Sequence, residues 1–207
     1  MLSPVLSIQY FGNIYFYHII NHNQNILFEN SEYFIKQTLR NRTYILTANG
    51  VMPLIVPVKH YSHKEIISQK EICYKEKWYK KHCTAIYSAY KNAPYFEYYA
   101  DEILNFLKHP TQQYLFEFNL QIMQTIIKIL DLNISMNFTH QYQKFYENDL
   151  RFISNKYLID NLPDALEKPY LQVFSDRFSF QKNLSVLDLI FNLGPDTKNY
   201  LLGKFHL

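Results

Sequence analysis

Three cations and an amide fall within seven residues of one another, Lys36, Arg40, Asn41 and Arg42, directly ahead of two apolar runs that flank Asn49-Gly50. The guanidinium fork of arginine matches the oxygens of a phosphate or carboxylate, so this cluster suits capture of a small anion. Apolar runs on either side of Asn-Gly predict a β-hairpin, with arms at residues 43–48 and 51–58. Charges at the mouth of a hairpin are held on a rigid element. The expected partner is therefore a small anionic ligand such as a nucleotide sugar; the bland alternative is an exposed, solvated trio of cations.

Two further side chains sit where their chemistry is awkward. His82 falls on the predicted helix 77–91, on the same face as Trp78, Ala85 and Ala89. A place in the first turn, near the positive helix end, favours a neutral imidazole. Such a group can take a proton as a general base or donate a hydrogen bond; otherwise it is a satisfied core histidine. No second His or Cys lies at ligand spacing from it, so no metal is expected there. Asn119 falls at the centre of the apolar face of a predicted helix over 112–130, formed by Leu115, Phe118, Ile122, Met123, Ile126 and Ile127. It either bonds the backbone of a neighbouring loop or orients a ligand in a pocket.

Near the C-terminal end, Ser185 with Asp188 three residues on matches a capping box, although Asp replaces the usual Glu or Gln. Asn183 precedes it. Asp176 and Arg177 either pair with each other or face a cleft. The four glycines, Gly12, Gly50, Gly194 and Gly203, are isolated, so no P-loop or dinucleotide fingerprint is present. The residues name no cofactor.

The elements that must position these groups belong to a mixed α/β fold: a small mixed sheet with a β-hairpin, packed with several helices in one domain over 1–207. Strands are predicted at 5–9, 25–29, 134–138 and 170–174, with a further short one near 65–68. The aromatic stretch 10–22 is a helical candidate. A mostly helical segment spans about 77–130, with helices at 77–91, 95–107 and 112–130, and Pro94 and Pro110 punctuate it. Short helices at 185–193 and 195–202 follow. A two-residue turn at Asn49-Gly50 opposes Leu46 to Pro53, and proline cannot serve a hydrogen-bonded ladder site, so a bulge or an edge position is expected at Pro53 and again at Pro57.

Composition sets the outer bounds. The 207 residues are 17% aromatic and 19% charged, an ordered globular balance rather than a disordered one. A net charge of +3 is too small for a dedicated nucleic-acid binder. The lysine run 75–81 reads as a solvated face beside a helix start. Cys73 and Cys83 form no disulfide framework, which points to a reducing compartment. No apolar stretch approaches the roughly 20 residues that cross a bilayer, and the start lacks a signal-peptide pattern; a soluble, cytoplasmic protein is expected.

Taken in order and spacing, four blocks make the chain resemble the WbqC-like protein family over nearly its whole length. They are KQTLRNRTYILTANG (36–50), the His82 segment running into AYKNAPYFEYYAD (89–101), LFEFN (115–119) and YLQVFSDRFSFQKNLSVLDLIFNLGP (170–195). The stretch 8–17 is a weaker match, since members often carry prolines where this chain has Gly12 and Asn13, and another at Lys182. The resemblance implies a bacterial protein of surface-polysaccharide (O-antigen type, lipopolysaccharide) precursor biosynthesis. A transferase that acylates or aminoacylates a nucleotide-linked amino sugar is one expectation; a non-catalytic module binding a glycan precursor or a partner enzyme is the other. In the transferase reading Lys36, Arg40, Asn41, Arg42, Asp176 and Asn183 bind substrate, while His82 and Asn119 are catalytic. In the module reading they need not meet.

Overall fold

Strands of a parallel sheet are covered on both faces, and the first strand of this chain has the side chains for it. In the computed structural model, which describes residues 2–60, 64–152 and 160–205, β1 (Val5–Ser7) is buried throughout. Helix α1 (Ile14–His22) then leads to β2 (Asn25–Glu29), which runs parallel to β1 with Val5 opposite Leu27 and Ser7 opposite Glu29.

The helix starts at Ile14, four residues later than the aromatic pattern predicts. Phe11 and Gly12 both take positive φ, 54° and 48°, and this left-handed turn cannot be the start of a right-handed helix. It also excludes proline at Gly12, whose ring requires φ near −65°. Asn13 caps the helix, its side chain accepting from the Phe16 N–H at 2.8 Å. Asn183 supplies a second cap from the far end of the chain, its Oδ1 accepting from Tyr15 N–H at 2.9 Å. The Leu184 carbonyl accepts the Ile14 N–H.

The hairpin is present, β3 (Arg42–Thr47) against β4 (Gly50–Ile55), but its turn sits one residue earlier than expected, which shifts the pairing by two residues. Thr47 pairs with Gly50, so Tyr44, not Leu46, opposes Pro53. A two-residue turn centred on Asn49-Gly50 needs positive φ at both; here Gly50 has φ 98° while Asn49 does not share it. The loop is thus Ala48-Asn49, with Gly50 absorbing the left-handed step at the start of β4. Pro53 is exposed on a strand that among the described residues pairs with β3 alone, the edge position expected of it.

Helices α2 (Trp78–Tyr90), α3 (Phe96–Lys108) and α4 (Leu115–Ile129) follow. α4 begins three residues later than predicted because Leu115 N–H is taken by the Lys70 carbonyl and Tyr114 bridges to Glu71. A 3-10 turn at Ile67–Gln69 stands where a short strand was expected at 65–68; only Ile66 bridges, to Tyr33. β5 (Ser135–Phe138) completes the parallel sheet in the order β1-β2-β5. Residues 148–150 flank β1 on its other side, with Val5 N–H to Asn148 O and Leu150 N–H to Val5 O.

No strand forms at 170–174. Gln172 uses its side chain instead, receiving Gln181 N–H and donating to Asp188, and the chain turns at Phe174. Helices α5 (Val186–Leu193) and α6 (Thr197–Leu201) close the fold. Ser185 caps α5, accepting from Leu187 N–H, but the box is not reciprocal: Ser185 N–H goes to Tyr44 O, and the Asp188 carboxylate accepts from Tyr170 and Gln172. The core is continuous from Leu6 to Leu201, with Tyr10, Tyr17, Tyr90, Phe118 and Phe191 among its largest side chains. The molecule is of the mixed α/β class.

Candidate functional site

β1, α1, β3 and two loops meet around a cleft of about 230 Å³. One wall is the loop 35–40 with Arg40 at its end, tied down by Tyr10 N–H to Leu39 O. Gln37 in that loop takes φ 61°, a strained value for a residue with a Cβ. Tyr15, Phe16 and Ile19 of α1 form a second wall, Arg42 and Tyr44 of β3 a third, and Leu150, Arg151 and Phe152 a fourth.

Behind this surface lies an ion cluster that the sequence did not single out. Arg40 makes a two-point bond to Glu32, Nε to Oε1 at 2.8 Å and Nη2 to Oε2 at 2.6 Å, and donates to Ser7 Oγ at 2.7 Å. Arg151 donates to Glu29 at 2.7 Å and holds Asp149 at 2.9 and 2.6 Å. The two halves join at the Arg151 carbonyl, which accepts from both Ser7 and Arg40. Phe152, half exposed, covers both guanidiniums at 5.8 and 4.9 Å from ring centre to Cζ, and Tyr146 stacks on Arg151 at 4.6 Å. Formally the cluster carries two cations against three carboxylates, so its arginines are spent within the protein.

Arg42 differs. Its guanidinium has no hydrogen-bond or ion-pair partner among the described residues, and its Nε is buried. Leaving a buried charged donor unsatisfied costs on the order of 1–3 kcal/mol, and a ligand oxygen in the cleft would recover that.

The remaining residues singled out from the sequence fall elsewhere. Lys36 is exposed on the loop 35–40 and does not line the cleft. Asn41 is buried at the foot of the hairpin, donating to Val56 O at 3.0 Å. Asn119 is fully buried and donates to the Arg40 carbonyl at 2.7 Å, so it steadies the cleft wall from behind. Asn183 caps the helix that carries Tyr15. Asp176 and Arg177 face each other at 3.8 Å beside a separate surface depression with Asn92 and Asn192. His82 lines a third depression, with Pro53, Ile55 and Trp78. The structure thus places Arg40 and Arg42 in one cleft, while His82 and Asp176 line other depressions.

His82 is engaged with the protein. Tyr10 Oη lies 2.9 Å from Nδ1, and the ring also interacts with the Ile55 carbonyl, which can only accept. Burial lowers its pKa to about 4, opposed by the Ile55 bond. A lowered folded-state pKa means the stabilisation is full above the unfolded value near 6.5 and is lost as pH falls towards 4. Wild type is expected to lose up to about 3 kcal/mol of unfolding free energy through this group over that window. His82→Gln should show a shallower decline in urea titrations from pH 7 to pH 4.5; equal slopes would refute the assignment.

A model of the WbqC-like protein family matches residues 9–162. The chain belongs to that family. The match takes in every wall of the cleft except the β1 residues Leu6 and Ser7, and it leaves the 170–195 block outside. No curated protein and no solved structure matches the WbqC-like chain. Among the described residues no helix is long and apolar enough to cross a membrane.

Proposed function

We propose that this WbqC-like protein binds a small anionic glycan precursor in the cleft, with Arg42 as the anchoring cation. The observation that carries the proposal is a guanidinium without a partner among the described residues, in a wall whose other arginines are neutralised. One unspent cation favours one carboxylate or one phosphate over a diphosphate gripped by several charges. The cleft is slightly below the roughly 300–1,000 Å³ of drug-sized ligand sites, which suits a single sugar or the sugar end of a nucleotide sugar. Tyr15, Tyr44 and Phe152 supply rings against which a sugar ring packs. The link to surface-polysaccharide precursors rests on family membership.

Between a binding module and a transferase, the separation of His82 from the cleft favours the module. In the transferase reading neutral His82 takes a proton from an attacking amine while Asn119 orients the acceptor, and both are engaged with the protein instead. A thermal-shift and calorimetry panel of nucleotide sugars, sugar phosphates, uronic acids, coenzyme A thioesters and amino acids tests this. A ligand at about 100 times its dissociation constant should stabilise the fold by roughly 2.7 kcal/mol. Arg42→Gln is expected to weaken any hit by about tenfold or more, the worth of one charge-assisted bond. Binding that ignores Arg42→Gln would rule the site out. Turnover of a hit that is abolished by His82→Gln would restore the transferase.

A further inference from the structure

The last two turns of α1 carry His18 and His22, four residues apart and hence on one face of the helix. Their ring centres are 4.2 Å apart. His18 Nδ1 lies 2.8 Å from the Leu201 carbonyl, and His22 Nδ1 lies 2.9 Å from the His18 carbonyl. A carbonyl oxygen can only accept, so each Nδ1 carries the proton and each Nε2 presents a lone pair. This is the arrangement by which proteins fix a histidine for a metal: the far nitrogen donates to a carbonyl while the near one ligates.

We propose that His18 and His22 form a two-imidazole site for a borderline divalent cation of the Zn(II) or Ni(II) kind. Imidazole nitrogens suit these ions. With each nitrogen about 2.1 Å from a shared ion, two ligating rings stand roughly 4.5–5.2 Å apart between centres, close to the 4.2 Å between His18 and His22. The site lies at the C-terminal end of α1, where the helix dipole favours positive charge. No cluster of three or more His, Cys, Asp or Glu among the described residues could hold a metal. The pair therefore supplies two ligands, and water fills the positions left open. The site stands independently of the anion cleft.

The test is a competition titration of the full, tag-free chain with Zn(II) against a colorimetric chelator, repeated with Ni(II). One ion per chain is expected. His22→Ala, whose side chain is exposed and whose loss spares the fold, should weaken binding by about tenfold or more with an unchanged metal-free melting temperature. His18→Gln should do the same, and ¹⁵N spectra should show Nε2, not Nδ1, shifting on Zn(II) addition. Unaltered affinity in His22→Ala, absence of saturable binding, or a shift at Nδ1 would each overturn the site.

Discussion

Arg151→Met should destabilise the protein by about 3–5 kcal/mol, because it leaves the Glu29 carboxylate buried without its counter-charge. Glu29 is fully buried, and its other oxygen is already engaged with Thr139 Oγ1 and the Ser31 N–H. Among the described residues Arg151 is the cation paired with Glu29. Arg151→Lys keeps the charge but not the fork that meets Glu29 and Asp149 at once, and should fall between. The double variant Arg151→Met, Glu29→Gln should recover much of the loss, since no charge is then stranded. Urea denaturation of the three variants measures this. A loss below about 1 kcal/mol for Arg151→Met would place the pair in the class of weak exposed bridges.

Gly12→Ala should be comparably damaging, about 2–5 kcal/mol from two sources. A Cβ there would lie 2.6 Å from the Tyr17 ring and 2.8 Å from the Phe16 ring, both buried. Overpacking of this kind costs about 1–3 kcal/mol. The left-handed backbone adds about 1–2 kcal/mol for any residue with a Cβ. Thermal melting with near-UV circular dichroism would register both the loss and the displaced aromatics. A melting temperature within a degree or so of wild type would show that the turn relaxes at no cost.

These two positions also show what the chain's pattern discloses and what it hides. Asn119 and His82 are legible as buried because α2 and α4 have regular helical periods that place them on apolar faces. The hairpin is legible from Asn49-Gly50, yet its register depends on which turn residue takes positive φ, and composition cannot decide that. Arg40 and Arg42 look equivalent, two cations on one face. What separates them is Glu32, which lies in a loop where no period applies and reaches Arg40 through the tertiary fold. Arg151 is hidden for the same reason, since residues 139–170 offer neither alternation nor helical spacing. Glu29 was the available clue: an acid ending the apolar run ILF in a strand covered on both faces calls for a cationic partner. The strand expected at 170–174 failed because Gln172 answers to Asp188 rather than to a sheet edge.

The ion cluster also has a consequence for how the protein is made. Its bonds join Ser7, Glu29 and Arg40 to residue 151, across sequence separations of 144, 122 and 111. A nascent chain emerging from the ribosome can assemble β1, α1, β2 and the hairpin long before Arg151 is available to them. Until then Glu29 has no cation and the cleft lacks its fourth wall. The cleft is thus walled in only after residue 151 has been made, and the early intermediate must keep Glu29 hydrated.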